Sequence, residues 1–448
     1  MQKLKPLGNI VKHHIKEFYP SFGLEHEMRK KTVIRTTTQL KALADKMKDL
    51  EEFAFDTETN TLQVNADNPE FKLVGMSISW GEYNNYYIPT GHIFDDQQVK
   101  VGMLSMIMKP IFENPNIRIV AQNAKFDLHV LARINIWVKT LDIFDTMIAS
   151  WICDENTPNG LKENTRDILG IDQTKIKDVM ETVTKEEKKS VGLKANSKAT
   201  FDLTRIDVAS DYAIADAYYT WKLYLYYLDR LEAEGMETIF YRMYPRYLYL
   251  TFKMEERGID LDVEKCKQND EAIARDIEDL EYEMLELIGV DMNISSGQQL
   301  AQLLFGYDDF KSVNDELLAI NFGFKPYSYT AKGVPQTNAE TIKKIARSEF
   351  KNKHKMVGVK FCQLLMEYNK LVKLRGFTQN FLKLMYPDGK IHCNLNIIGT
   401  DSGRASSSNP NMQQIPNASE EDKYQMRSLF IGAMNEKTGK RDSIISAD

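Results

Sequence analysis

The chain has 448 residues, more than one ordinary hydrophobic core accommodates, which predicts two or three domains. Its 43% hydrophobic and 27% charged residues are typical of a soluble globular protein, and no apolar run reaches the roughly 18 residues that a membrane span requires. The net charge of −6 excludes a protein that coats nucleic acid by bulk attraction. The four cysteines form no CxxC pair, so we expect reduced thiols and no zinc site.

The predicted elements divide the chain into four parts. Residues 1–32 are a basic extension without the continuous apolar core of a signal peptide. Strands and helices alternate over 33–235, which predicts an α/β domain with a mixed sheet. Residues 236–390 are almost wholly helical, and 391–448 return to short strands. The predicted fold class is therefore α/β plus α.

Within the α/β part we predict strands at 52–55, 72–80, 86–88 and 117–121, with the second and third forming a hairpin. Asn123 is the predicted cap of the helix that follows, and a further helix is predicted over 207–231. In the helical part we predict a long amphipathic helix over 262–287, capping boxes at 296–299 and 337–340, and a helix through Phe361 and Val372. Strand-like runs at 392–398 and 443–447 complete the pattern.

Acidic residues mark three of the predicted elements. Asp56 and Glu58 lie at a strand end and share one side of it, because strand side chains alternate. Asp127 follows another strand, and Tyr212 and Asp216 share a helix face at i, i+4 spacing. Converging carboxylates repel one another unless divalent cations neutralise them, and oxygen ligands favour Mg²⁺ or Mn²⁺ over zinc. Two such ions roughly 4 Å apart can promote in-line displacement at phosphorus.

The three motifs, in this order, resemble those of the DEDDy 3′–5′ exonucleases, whose domain is ribonuclease H-like. The resemblance implies that Asp56, Glu58 and Asp216 hold one metal ion and that Asp56 and Asp127 hold a second. Tyr212 is expected to hold the attacking water. Leu62 matches an apolar residue that wedges against terminal bases, and Asn123 is a candidate DNA-binding residue. Asp145, in a recurring Phe-Asp-Thr-Met segment, is interpreted as a structural cap.

The segment 399–416, here called the Arg404 segment, is rich in small and amide side chains beside Arg404. An arginine with nearby amides suits base edges in a minor groove and the adjacent phosphates. The segment resembles the T-G-R-x-S-S-x-x-P-N-x-Q-x-I-P motif of family A DNA polymerases, the bacterial DNA polymerase I type, with Ser402 in place of the usual threonine. By this resemblance Arg404, Asn411 and Gln414 contact DNA.

Further matches extend the resemblance from about Val33 to the last residue. They place the start of the polymerase domain and a helical thumb in 236–390 and the start of the palm in 391–448. Asp448 matches the first catalytic aspartate of the palm, a Mg²⁺ ligand in the completed polymerase site. The layout is similar to a phage-type enzyme, in a bacterial or phage-infected cytoplasm.

The resemblance implies primer-template DNA and single-stranded 3′ ends as partners. We expect a C-terminal polymerase fragment, with the fingers and the rest of the palm, to be needed for nucleotidyl transfer, and the chain alone not to extend a primer. Two alternatives stay open: a stand-alone exonuclease of the ribonuclease D type, which has no use for the Arg404 segment, and a non-catalytic DNA-holding subunit, which the intact carboxylate set disfavours.

Overall fold

The structure is a computed structural model that describes residues 28–64, 68–416, 423–435 and 438–441. The basic extension over 1–27, the predicted strand at 443–447 and Asp448 lie outside the described residues. In the described ranges, no helix combines the length and the apolar character that crossing a membrane requires. The described residues form two compact units, one within 1–258 and 392–408 and the other within 259–391 and 409–448.

The first unit is built on a six-stranded sheet in the order β1-β4-β3-β2-β5-β6. The strands are β1 (Lys31–Val33), β2 (Glu52–Thr59), β3 (Leu73–Ser79), β4 (Asn85–Pro89), β5 (Arg118–Ala121) and β6 (Ile143–Asp145). Strand β3 runs antiparallel to β2 and β4, whereas β2, β5 and β6 are mutually parallel. The predicted mixed sheet and its hairpin are therefore confirmed.

Helices join and cover these strands. They are α1 (Thr37–Met47), α2 (Val101–Phe112), α3 (Ala124–Arg133), α4 (Thr146–Cys153), α5 (Leu161–Asn164), α6 (Ile176–Glu181), α7 (Lys185–Ser190), α8 (Ile206–Ala233) and α9 (Glu237–Arg257). Helix α8 packs against β2, β3, β4 and β5. All seven residues of β3 are buried, as expected for a strand in the middle of a covered sheet.

The second unit is mainly helical, as predicted. Its helices are α10 (Val263–Ile288), α11 (Gly297–Phe305), α12 (Asp315–Ile320), α13 (Ala339–Ala346) and α14 (Lys353–Leu384). Helices α10 and α14 pack along each other around buried residues such as Ile273 and Phe361. A small sheet joins β7 (Ile259–Leu261) and β8 (Lys390–Ile391) to a later strand, Phe430–Ile431.

The remaining strands are short. Strands β9 (Asn394–Asn396) and β10 (Ser406–Ser408) form an antiparallel hairpin that belongs to the first unit. In the second unit, β11 (Phe430–Ile431) pairs with β7, and β12 (Met434–Asn435) pairs with β13 (Lys440–Arg441). The strand predicted over 392–398 is thus confined to its three central residues.

Three further details differ from the sequence-based expectations. Asn123 occupies the cap position of α3 but makes no side-chain capping bond, because its backbone is left-handed. Asn338, one residue after the predicted Thr337, caps α13. Helix α9 groups with the first unit, beyond the predicted boundary at residue 235. The four-part division drawn from the sequence remains a prediction.

Candidate active site

Strand β2 and helix α8 bring three of the predicted carboxylates together. Oxygens of Asp56, Glu58 and Asp216 lie within 4.8 Å of one another, with Glu58 and Asp216 buried and Asp56 partly exposed. Asp56 and Glu58 face one way because they are two residues apart on a strand. Asp216 reaches them from α8, which crosses the same strand. Three hard oxygen donors so close together could share a divalent cation.

Asp127, the fourth predicted carboxylate, lies in the first turn of α3 and is 1% exposed. Its Oδ1 accepts hydrogen bonds from the backbone N–H of Thr57, at 3.0 Å, and from the Thr57 hydroxyl, at 2.6 Å. Asp127 is therefore tied to the residue between Asp56 and Glu58, next to the three-carboxylate cluster. Nothing in the sequence indicated this role of Thr57, because Thr57 and Asp127 are 70 positions apart.

Burial and mutual repulsion dominate the electrostatics of the site. Burial of Asp56 raises its pKa well above the ordinary range, and the charges of Asp127, Glu58 and Asp216 raise it further. The pKa of Glu58 is raised by burial and then by Asp216, and burial raises the pKa of Asp127 to about 8. Such a cluster favours cations, because a bound positive charge removes the cost of holding several buried anions together.

Tyr212 lies one helical turn before Asp216 on α8 and hydrogen-bonds to its carboxylate. Burial of the phenol raises its pKa, and the charge of Asp216 adds to the increase. The phenol therefore keeps its proton at neutral pH and remains a hydrogen-bond donor. The predicted i, i+4 pairing of these two residues is thus present in the structure.

A lysine that the sequence analysis did not single out enters the same cluster. Lys162 of α5 forms an ion pair with Asp216 and places its ammonium 4.4 Å from the centre of the Tyr212 ring. Its charge acts against the raised pKa values of Asp56, Glu58 and Asp216. No spacing in the sequence indicated this contact, because residues 162 and 216 are 54 positions apart.

A buried tyrosine and histidine support the start of α8. The Tyr87 ring passes over Gly75, where an added Cβ would lie 2.1 Å from the phenol oxygen. His92 Nδ1 donates to the Thr204 carbonyl oxygen at 2.8 Å, so its Nε2 accepts from the Tyr87 hydroxyl at 2.7 Å. Because Thr204 lies two residues before the first residue of α8, this chain of bonds helps fix the helix that carries Tyr212 and Asp216.

The candidate DNA-binding residues lie in both units. In the first, Leu62 is 86% exposed in the loop after β2, Asn123 is exposed at the start of α3, and Arg404 is exposed in the loop between β9 and β10. In the second, Asn411 accepts a hydrogen bond from the backbone of Gln413, and Gln414 is exposed. The exposed side chains are accessible to a partner.

Asp145 has the structural role expected of it. It is 2% exposed, and its carboxylate accepts hydrogen bonds from the backbone N–H groups of Asn123, Ala124 and Met147. It thus caps α4, which begins at the next residue, and it also accepts hydrogen bonds from the backbone N–H groups at the start of α3.

A mixed sheet crossed by α8, with carboxylates at the end of β2, defines the class of ribonuclease H-like exonuclease domains. Two protein-family models match the chain, one described as 3′–5′ exonuclease over residues 32–232 and the other as DNA polymerase family A over residues 263–448. The chain belongs to the family A DNA polymerases and carries their exonuclease domain at its N-terminal side.

Relatives of known sequence agree with this family. The chain is 32% identical over 403 residues to DNA polymerase I of Chloroflexus aurantiacus and 29% identical over 417 residues to that of Rhizobium leguminosarum. These alignments cover 89% and 88% of this chain but 39% and 36% of the relatives, so the chain spans less than two fifths of their length.

A solved structure shares the fold. It is the POL domain of Pol1 from M. smegmatis in complex with DNA primer-template and dNTP, with a TM-score of 0.67 and 17% identity. The match covers 90% of this chain and 59% of that one. The predicted fold class is therefore confirmed.

Proposed function

We propose that the first unit is a 3′–5′ exonuclease that removes nucleotides from DNA strand ends, and that it proofreads for the polymerase of which the second unit is part. The observation that carries this proposal is the close approach of the Asp56, Glu58 and Asp216 oxygens within 4.8 Å, in a domain matched by the exonuclease family. Buried carboxylates gathered in this way are typical of metal-dependent phosphodiester cleavage.

The donor set fits Mg²⁺ or Mn²⁺, because every ligand is a carboxylate oxygen and the raised pKa values favour a counter-charge. Asp56, Glu58 and Asp216 would hold one ion, and Asp56 with Asp127 would hold a second. When bound, these ions supply positive charge that offsets the carboxylates and stabilises the charge that develops on the phosphate.

The chain's own residues would orient the reactants. The protonated Tyr212 hydroxyl, one helical turn from Asp216, would position the attacking water. Leu62 would pack against the terminal base, and the exposed Asn123 amide would contact the strand near its 3′ end. Each of these roles is geometric, since holding the reacting groups in line contributes much of the rate in such reactions.

The second unit and the Arg404 segment connect this exonuclease to replication. We propose that Arg404, Asn411 and Gln414 contact primer-template DNA, with Arg404 suited to phosphates and to minor-groove base edges. Nucleotidyl transfer would need Asp448 as a Mg²⁺ ligand together with a C-terminal part of the polymerase. The curated relatives, which are named DNA polymerase I and of which this chain covers less than two fifths, support this proposal.

The test is Mg²⁺-dependent degradation of labelled single-stranded and mispaired DNA primer ends by the purified chain. We expect Asp56→Ala to lower the rate by at least about a thousandfold, since it removes a ligand shared by both ions. Glu51→Ala, an exposed acidic residue one position before β2, is the matched control and should keep wild-type activity. An inactive wild-type protein would favour a DNA-holding role, and a strong preference for RNA would favour the ribonuclease D type.

A further inference from the structure

Lys162 is the cation that the structure places against the proposed metal ligands. Its Nζ forms an ion pair with Asp216 Oδ1, and Asp216 is the only contribution of α8 to the three-carboxylate group. The ammonium also lies 4.4 Å from the centre of the Tyr212 ring, within the distance of a cation–π contact. One positive charge therefore contacts a proposed metal ligand and the residue proposed to hold water.

The position of this ammonium is built into the local structure. Lys162 Nζ donates to Gln173 Oε1 at 2.8 Å, and the Gln173 Nε2 donates to Thr165 Oγ1 at 2.7 Å. The amide of Gln173 is thereby oriented with its oxygen towards the lysine. Gln173 is 8% exposed, so the acceptor is buried and held.

We propose that Lys162 is a tethered cation that holds Asp216 and Tyr212 in place while the site lacks metal, and that divalent cations displace it on binding. The proposal rests on the exonuclease function proposed above. A cation bound to Asp216 repels a neighbouring ammonium, and both need the same oxygen lone pairs. Lysine suits this role because it carries a compact charge on a flexible stem.

An acidic pocket next to Lys162 could accept the displaced ammonium group. Lys162 also lines a pocket of about 650 Å³ that contains the carboxylates of Asp172, Asp207 and Asp211. The Lys162 side chain is 24% exposed, so it can move towards this pocket without leaving a closed core. Lys162 would thus be a positioning residue, and a metal ion would have to compete with its ammonium group for Asp216.

The primary experiment measures Mn²⁺ binding to the purified chain without DNA, by calorimetry and electron paramagnetic resonance. The variant is Lys162→Met, which keeps an unbranched side chain one atom shorter than lysine and removes the charge. We expect about tenfold tighter Mn²⁺ binding at the site, together with a melting temperature of the metal-free protein that is lower by several degrees, on the order of 5 °C. If Lys162 only supported the structure of the site, the variant should bind Mn²⁺ more weakly than the wild type.

Two control variants accompany this measurement. Lys177→Met removes a lysine that is 80% exposed and pairs with Glu181 on α6, and it should leave Mn²⁺ affinity unchanged. Lys162→Arg keeps the charge and should stay within about threefold of wild type, since both side chains are cationic. Unchanged or weaker Mn²⁺ binding by Lys162→Met would overturn the proposal.

A second measurement uses the wild-type protein, so the test survives if Lys162→Met does not fold. Amine-reactive labelling followed by mass spectrometry should show Lys162 reacting several-fold faster with saturating Mg²⁺ than without it, and Lys177 reacting equally in both. Equal labelling of Lys162 in both conditions would refute displacement. If Asp56→Ala leaves Mn²⁺ binding intact, the proposed metal site itself is wrong, and the displacement proposal is rejected with it.

Discussion

Thr57 shows how a residue between two motif positions can determine the geometry of the site. Its backbone N–H and its hydroxyl both donate to Asp127 Oδ1, and it is 5% exposed. These two hydrogen bonds connect β2 to Asp127, a proposed metal ligand that lies on helix α3. Partners of metal ligands of this kind typically contribute 10–100-fold to metal affinity or activity.

We therefore predict that Thr57→Val reduces exonuclease activity by about tenfold and lowers the free energy of unfolding by about 1 to 2 kcal/mol. Valine has nearly the same shape but lacks the hydroxyl, so one of the two bonds to Asp127 is lost. Rates on a single-stranded DNA end and urea denaturation measure the two effects. Thr57→Ser, which keeps a hydroxyl, should restore most of the activity, and an inactive serine variant would contradict this explanation.

Four of the five residues of the exonuclease motifs could be predicted because their chemistry depends on identity and local spacing. Asp56 and Glu58 follow from strand alternation, and Tyr212 with Asp216 follows from the helical repeat. Lys162 and His92 could not be predicted in this way. Their contacts join residues 54 and 112 positions apart, and such distances carry no periodic signal.

Among the secondary-structure elements, the strands predicted between 52 and 121 and the long helices are present because their apolar residues repeat with a clear period. The ends of the elements are less predictable, since they depend on partners from elsewhere in the chain. Asn123 illustrates this point: a typical capping residue stands at the start of α3, yet the carboxylate of Asp145, from β6, accepts the N–H groups there. Tertiary contacts therefore replaced the local cap.

A buried ionic network connects three elements of the first unit. Glu255, near the end of α9, accepts hydrogen bonds from Lys125 at 2.6 Å and from the backbone N–H of Leu395 at 2.5 Å. Its second oxygen contacts His129 Nε2 at 2.7 Å. Helix α3, which carries Asp127, is thus joined through one carboxylate to α9 and to β9, the strand that leads into the Arg404 segment.

We predict that Glu255→Gln lowers the free energy of unfolding by about 3 kcal/mol at pH 7, because Lys125 and His129 lose a buried counter-charge. Burial alone would raise the pKa of Glu255, but its hydrogen bonds to His129 and Lys125 outweigh burial and lower it. A lowered folded pKa means that this stability is present above the ordinary glutamate pKa of about 4.3 and is lost as the pH falls through the lower, folded value.

Urea denaturation of the wild type and Glu255→Gln between pH 7 and pH 4 measures this dependence. The difference between the two proteins should be constant down to about pH 5 and should shrink below it. Glu232→Gln, at an exposed position of α8, should differ from wild type by less than about 0.5 kcal/mol throughout. A difference that widens as the pH falls would show that Glu255 is not held as a carboxylate.

For the whole molecule, each compact unit has its own hydrophobic core. The core of the first unit includes Phe53 and Phe144, and that of the second includes Ile273 and Phe361, all fully buried. The ligands proposed for the exonuclease metal ions, Asp56, Glu58, Asp127 and Asp216, all belong to the first unit. A ligand stabilises only the folded unit that binds it. Metal binding should therefore raise the free energy of unfolding of the first unit and leave that of the second unchanged.

We predict two unfolding transitions in scanning calorimetry, and we expect Mn²⁺ to raise the midpoint temperature of only one of them. At a free concentration of about 100 times its dissociation constant, Mn²⁺ adds about 2.7 kcal/mol to the stability of the unit that binds it. Phe144→Ala and Phe361→Ala are a matched pair, each removing a fully buried phenylalanine at a cost of about 3–5 kcal/mol. The first variant should lower the Mn²⁺-sensitive transition and the second should lower the other. A single transition that both variants and Mn²⁺ shift as a whole would instead mean that the two cores unfold together.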